Sequence, residues 1–189
     1  MSKYRIVLLA CALLPFLPGA ALAQTELSPF ASCDSRFAII FPGGPMRRDT
    51  VFTTAAGATV PARQFYFERG ADRFAVTVVN LANGPALDEP TIDHAADLLR
   101  KKGEVKMQFP VGYIDGVRGR QILVAEPNNR QLRGSVYMHD HRVYITEVSS
   151  AVGDISALQF DQSITIIDGT GTDIDRGQAG NAERKFTCR

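Results

Sequence analysis

Two rhythms of apolar and polar residues run along this chain: short apolar runs bounded by turn formers, and one stretch with helical spacing. The unbroken run Phe37 to Phe41 ends hard at Pro42-Gly43-Gly44-Pro45, which predicts a strand covered on both faces. Arg48 to Thr54 is rich in Thr, Val and Phe and reads as a second strand, with Ala56-Gly57 in the turn after it. The aromatic stretch Arg63 to Glu68 reads as a third. Gly70 to Arg73 turns the chain into Phe74 to Val79, again apolar on both faces. Leu81 to Pro90, carrying Asn83-Gly84-Pro85, is a loop.

The spacing then changes. Ile92, Ala95, Ala96 and Leu99 fall on one face of a 3.6-residue helix. Glu89 and Asp93 near its start, and Arg100, Lys101 and Lys102 near its end, complement the helix dipole. Gly103 is expected as a left-handed C-terminal cap. Strands return over Glu104 to Phe109, Gly119 to Ala125, Leu132 to Met138 and Val143 to Val148. Pro127-Asn128-Asn129 and His139-Asp140-His141 fill turns between the last three, so these form an antiparallel meander. Asp154 is placed to cap a short helix through Phe160, and Ile164 to Ile167 is a last strand. From Asp168 the composition turns to Gly, Asp, Thr and Asn, as in an extended polar tail anchored by Phe186 and Cys188. A mostly antiparallel sheet with doubly buried strands needs cover on both faces, which the helices must supply. The expected class is α+β, a sheet flanked by helices on both faces.

The start of the chain has a different logic. Lys3 and Arg5 precede an apolar stretch from Ile6 to Leu17, and Ala21-Leu22-Ala23 precedes Gln24. This is the layout of a secretory signal peptide cut between Ala23 and Gln24, in a segment too short to span a membrane. A lipoprotein reading at Leu8-Leu9-Ala10-Cys11 would leave more apolar sequence on the exported side, and an ordinary cysteine in the apolar region is the simpler account. The expected organisation is a signal peptide over 1–23, a leader over 24–36, one α+β domain over 37–167 and a polar tail over 168–189. No transmembrane segment is expected in the mature chain, which would be periplasmic or secreted.

Removing Lys3 and Arg5 leaves 19 basic side chains against 20 acidic ones. A near-neutral surface argues against nucleic acid as a partner and against strong attraction to an anionic membrane. Export also leaves two cysteines, Cys33 and Cys188, in a compartment that permits oxidation. A Cys33–Cys188 bridge is favoured over two free thiols or an intermolecular bond, and closing so long a loop is worth at most roughly 5 kcal/mol.

Four pieces, taken in order, carry a family resemblance: Phe41-Pro42-Gly43-Gly44-Pro45, Gly116-Val117-Arg118-Gly119-Arg120, Arg142-Val143-Tyr144-Ile145 and Phe160-Asp161-Gln162-Ser163-Ile164. Together they make Phe37 to Ile167 resemble single-domain secreted bacterial relatives of the PsbP/Mog1 superfamily. The resemblance implies an antiparallel sheet flanked by helices. It also implies a mostly non-catalytic role, since some members bind and stabilise a large photosynthetic assembly and another binds a small GTPase. The chain departs from better-known members in having no Trp and in its Cys-bearing tail. No functional residue of the superfamily maps onto it.

Candidate chemistry is sparse. His139-Asp140-His141 is the most suggestive triplet, because histidines two apart on a strand point the same way and could help hold Zn²⁺ or Cu²⁺. A metal needs three or four ligands, no second cluster has ligand spacing, and an exposed hairpin turn explains the triplet better. His94, off the apolar stripe, could pair with Asp97 but reads as a partly exposed helical histidine. The alternating Asp168 to Asp175 segment fits neither established calcium-loop spacing. Gly112 to Gly119 and Gly169-Thr170-Gly171 lack the context of phosphate loops, and there is no Gly-x-Ser-x-Gly. Asp115 and Glu126 cannot be paired from sequence. Arg118, Arg120, Arg130 and Arg133 place basic charge along one hairpin, either as an anion surface or as a solvated sheet edge. No catalytic residue and no cofactor are expected. The sequence points to an exported, non-enzymatic domain that binds a partner protein or supports an envelope assembly, with a metal protein using the His139 turn as the alternative.

Overall fold

Apolar runs that are buried on both sides need a layered body, and the computed structural model shows how the layers form. It describes residues 29–81, 88–114, 116–175 and 183–189. The expected signal peptide, its Ala23–Gln24 cleavage site and Asp115 lie outside these residues. In chain order the elements are β1 (Phe30–Ser32), β2 (Phe37–Ile39), β3 (Met46–Thr53), β4 (Thr59–Arg69), β5 (Asp72–Asn80) and α1 (Asp88–Arg100). They continue with β6 (Glu104–Gly112), β7 (Arg118–Glu126), β8 (Arg130–His139), β9 (Arg142–Ala151), α2 (Ile155–Gln162) and β10 (Thr165–Ile166). Among the described residues no helix is long and apolar enough to cross a membrane.

Two antiparallel sheets result. The larger has seven strands in the order β3-β4-β5-β9-β8-β7-β6, and the smaller has the order β1-β2-β10. The larger is two meanders, β3-β4-β5 and β6-β7-β8-β9, zipped together where β5 pairs with β9 from Arg73↔Ser149 to Asn80↔Arg142. The chain passes through α1 on its way from one meander to the other.

Period-2 alternation then divides β8 and β9 between two cores. Tyr137, Tyr144 and Val148 join an aromatic-rich cluster with Phe37, Phe65 and Phe160. Their neighbours Val136, Met138, Val143 and Ile145 join a second cluster with Ile92, Ala95, Ala96 and Leu99 of α1. All four stripe residues of α1 are essentially fully buried, as their spacing predicts. Burying such side chains is worth about 1.5–3 kcal/mol for each large one, which is how a 13-residue helix of modest propensity is held. Cover for the aromatic cluster comes from the small sheet as well as from α2: Phe37, Ile39 and Ile166 of the small sheet pack there.

Two local expectations change. Gly103 does not adopt the left-handed conformation. Glycine is needed there because a Cβ would lie 2.2 Å from the Ala125 carbonyl oxygen, where the helix end crosses β7. Over its described residues, the stretch after Ile167 is also more than an extended tail tied near its end. Ile167 bridges Asp173, Thr172 bridges Lys185, and both Thr172 and Asp173 are buried.

Candidate functional site

The His139-Asp140-His141 triplet is a two-residue hairpin turn. His139 pairs with Arg142 in register, and Asp140 and His141 take φ values of 47° and 58°. Such left-handed pairs match the twist of the flanking strands, and Asp tolerates them better than most residues. His141 therefore sits in the turn, not on the strand, and the shared strand face that two-residue spacing implied for the histidines does not exist. Asp140 instead accepts from Arg36 of the β1–β2 turn and, at 3.4 Å, from Arg142, clamping the small sheet to the large one. Burial lowers the pKa of His139 below 6.5, opposed by Asp140 and reinforced by Arg36 and Arg142. His94 is engaged elsewhere, with Nε2 2.7 Å from the Thr53 carbonyl oxygen and its ring edge-on to Phe52. Among the described residues no three His, Cys, Asp or Glu side chains are grouped closely enough to hold a metal ion. Beside the clamp lies a pocket of about 260 Å³, lined by Asp34, Asp49, Arg63, Asn80 and Arg142 among others.

A larger cleft of about 430 Å³ opens at the end of the small sheet. Ile39, Ile164 and Phe186 give it apolar walls, and Tyr113, Asp173 and Arg184 give it polar ones. The C-terminal strap brings these groups together. The Asp168 carboxylate folds the preceding loop by accepting from the Thr170 and Thr172 amides at 2.8 and 3.0 Å. Gly171, at φ 88°, leaves room for the strap, since a Cβ there would lie 2.5 Å from the Phe186 carbonyl oxygen. The Cys33–Cys188 disulfide, with Cα atoms 5.6 Å apart, then ties the strap beside β1. Asp173, only 3% exposed, accepts from the Tyr113 hydroxyl at 2.6 Å and from its own loop, at the Asp175 amide, at 3.0 Å. Arg184 stands 3.4 Å from the same carboxylate. Burial, and then the Asp173 carboxylate, push the Tyr113 hydroxyl far above its usual pKa of 10. A phenol that holds its proton so firmly is no general base near neutral pH. This cluster works as a lock that seats the strap.

A third cluster fastens α2. Asp161 is 2% exposed and accepts from Gln121 at 2.8 Å, Ser135 at 3.0 Å and Arg133 at 3.2 Å. The hairpin arginines are each matched in the same way: Arg118 with Glu89, Arg120 with Asp93 and Glu89, and Arg130 with Asp72. Glu89 and Asp93 thus moor the start of α1 to β7, beyond any dipole effect. The row does not offer a free anion surface. Asp161 had one sequence signal, since it lies four residues after the buried Ala157 and so puts a carboxylate on the packed side of a helix. Arg184 had none, because its partner depends on how the strap returns.

Among the described residues, exposed large apolar side chains lie on β6, on β3 (Met46 and Val51) and around the start of α2 (Val152 and Ile155). Met107 and Phe109 are 53% and 40% exposed. They stand opposite Leu123 and Gln121 of β7 in register, on the side of the sheet from which Gln121 reaches Asp161. The strand itself is a poor template for further pairing, because its register slips between Val105 and Met107 and Pro110 offers no N–H.

No protein-family model matches the chain, and no curated protein matches it. Among solved structures it is similar to the cyanobacterial PsbP (CyanoP) of Synechocystis sp. PCC 6803, with 14% identity and a TM-score of 0.52. That match covers 81% of this chain and 98% of CyanoP. A protein of unknown function from Pseudomonas aeruginosa, PA94, is 16% identical over 57% of this chain and 86% of its own, with a TM-score of 0.32 that carries no argument. At this identity the likeness to CyanoP is one of fold, and the fold is PsbP-like.

Proposed function

We propose that this PsbP-like fold, with helices flanking both faces of its large sheet, serves as an exported, non-enzymatic accessory module that binds a partner protein or supports an envelope assembly. The observation that carries the reading is the contrast between its two kinds of surface group. Buried and half-buried charges are committed to internal pairs that hold elements together, as with Asp140, Asp161 and Asp173. The apolar side chains of Met107 and Phe109 stay open on a strand that resists pairing. Exposed apolar groups set among satisfied polar ones mark protein contact surfaces. The Cys33–Cys188 bridge suits an oxidising compartment, which supports a periplasmic or secreted location. The superfamily resemblance, mostly non-catalytic, points the same way.

The test is a Met107→Asp/Phe109→Asp variant in envelope extracts, compared with the unaltered protein by native electrophoresis. A discrete slower complex that disappears in the variant, while its circular dichroism is unchanged, is the expected result. A protein that migrates alone in both forms would remove the basis for the proposal.

A further inference from the structure

Among the described residues, arginines are generally matched to carboxylates, as with Arg63 and Asp49 or Arg69 and Asp154. Arg48 and Arg73 depart from that pattern. Both direct their guanidinium groups at one neutral acceptor, the side-chain oxygen of Gln64. Arg48 donates from Nε at 2.9 Å and from Nη2 at 2.5 Å, and Arg73 donates from Nη2 at 3.1 Å. A carbonyl oxygen has two lone pairs, so three donors oversubscribe it. The Gln64 amide cannot turn away freely, because its Nε2 donates to Thr77 Oγ1 at 3.0 Å. Arg48 is further held over the Tyr66 ring, 4.8 Å from its centroid. The Nε of Arg73 is shielded from solvent and has no hydrogen-bond partner among the described residues.

The nearest acids do not relieve this. Glu68 is opposite Arg73 in register, yet Arg73 extends along the strand to Gln64 instead. Glu147, opposite Ala75, is engaged by Lys102 at 2.5 Å. Two cations are therefore held close together on β3–β5 with more donors than acceptors between them. Most of the contacts of α1 are with β7, β8 and β9, and it meets β3 at the far end of that strand, at Phe52 and Thr53.

We propose that Arg48 and Arg73 form a binding site for a phosphate group. A phosphate carries one to two negative charges and three or more acceptor oxygens around one centre, so it can take donors from both guanidinium groups at once. Arginine forks suit this geometry better than lysine would. The site lies toward the β3 edge of the sheet, opposite the β6 edge that carries the proposed partner surface, and goes beyond that reading. With the chain near neutral overall, the contact is local and not part of a broad basic footprint.

The test is titration of the full mature protein at low ionic strength, following the Arg Nε–H signals by NMR. One arm uses inorganic phosphate, and the other uses sedimentation with phosphatidylglycerol or phosphatidylcholine vesicles. Saturable shifts of the Arg48 and Arg73 signals with phosphate, weakened about tenfold or more in Arg48→Gln, are expected. Gln64→Glu, which supplies an internal anion in the same place, should abolish binding while melting no lower than the unaltered protein. Sedimentation with phosphatidylglycerol but not phosphatidylcholine would place the phosphate on a lipid headgroup, and phosphate binding alone would place it in solution. Engagement of neither probe, or undiminished binding by Gln64→Glu, would overturn the proposal.

Discussion

The buried carboxylate of Asp161 gives the sharpest handle on how α2 is held. One of its oxygens accepts from Ser135, and the other accepts from both Gln121 and Arg133. Replacing it by alanine leaves the Ser135 hydroxyl, itself fully buried, without its acceptor, and strips Arg133 of its ion pair. Breaking a fully buried pair typically costs 3–5 kcal/mol. Arg133 keeps 23% of its side chain in solvent and can turn toward water, so the lower end applies, at about 3 kcal/mol. For a domain of this size that is a fall in Tm of about 6–12 °C. Asparagine should behave differently. Its oxygen can take both Gln121 and Arg133 while its amide donates to the Ser135 oxygen, so the contacts survive and only the charge is lost. Asp161→Asn is expected to cost about 1 kcal/mol. Urea denaturation with the disulfide intact, analysed for midpoint and slope, measures both. An alanine variant within about 0.5 kcal/mol of the original would refute the role assigned to Asp161. Equal losses for the two variants would show that charge, not the set of hydrogen bonds, is what matters.

Three further outcomes follow from the same geometry. Tyr144 is fully buried and its hydroxyl has no partner among the described residues, so Tyr144→Phe should stabilise the fold by about 1 kcal/mol in denaturant titration. Burial also pushes that hydroxyl up to about 12, so above pH 10 the unfolded chain loses the proton first and stability falls, a decline the Phe variant should reduce but not abolish, since burial raises Tyr113 and Tyr137 as well. His139, its pKa lowered by burial, resists the proton that the unfolded chain accepts below about pH 6.5. Stability should therefore fall as pH drops through that region, and His139→Gln should flatten the profile in urea titrations across pH. Cys188→Ser should cost about 2–5 kcal/mol and expose the C-terminal strap to limited proteolysis, read by intact mass.

Local chemistry wrote some elements plainly. The spacing of Ile92, Ala95, Ala96 and Leu99 identified both α1 and its buried face, and Asp154 caps α2 through the Ser156 amide at 2.8 Å. The turn residues of the last meander marked its hairpins within a residue or two, because positive φ values fall to Asn128, Asn129, Asp140 and His141. What depends on distant pairing was hidden. Nothing local says that β5 joins β9, or that β1, β2 and β10 leave the main sheet. Polar composition after Asp168 read as an extended tail anchored only at Phe186 and Cys188, because the other features that order its described residues are remote: Tyr113 and the returning strap. The arginines of the β7–β8 hairpin resembled an open basic row for the same reason, since their partners lie on α1, α2 and the β4–β5 hairpin.

The most direct measurement replaces Phe109 with a photocrosslinking residue in the producing cells, with Val152, similarly exposed on the β9–α2 turn, as the control position. One discrete heavier species on illumination, seen also from position 107 and absent from position 152, is the result expected of a dedicated partner surface. No adduct from either β6 position, or the same adducts from all three, would contradict it.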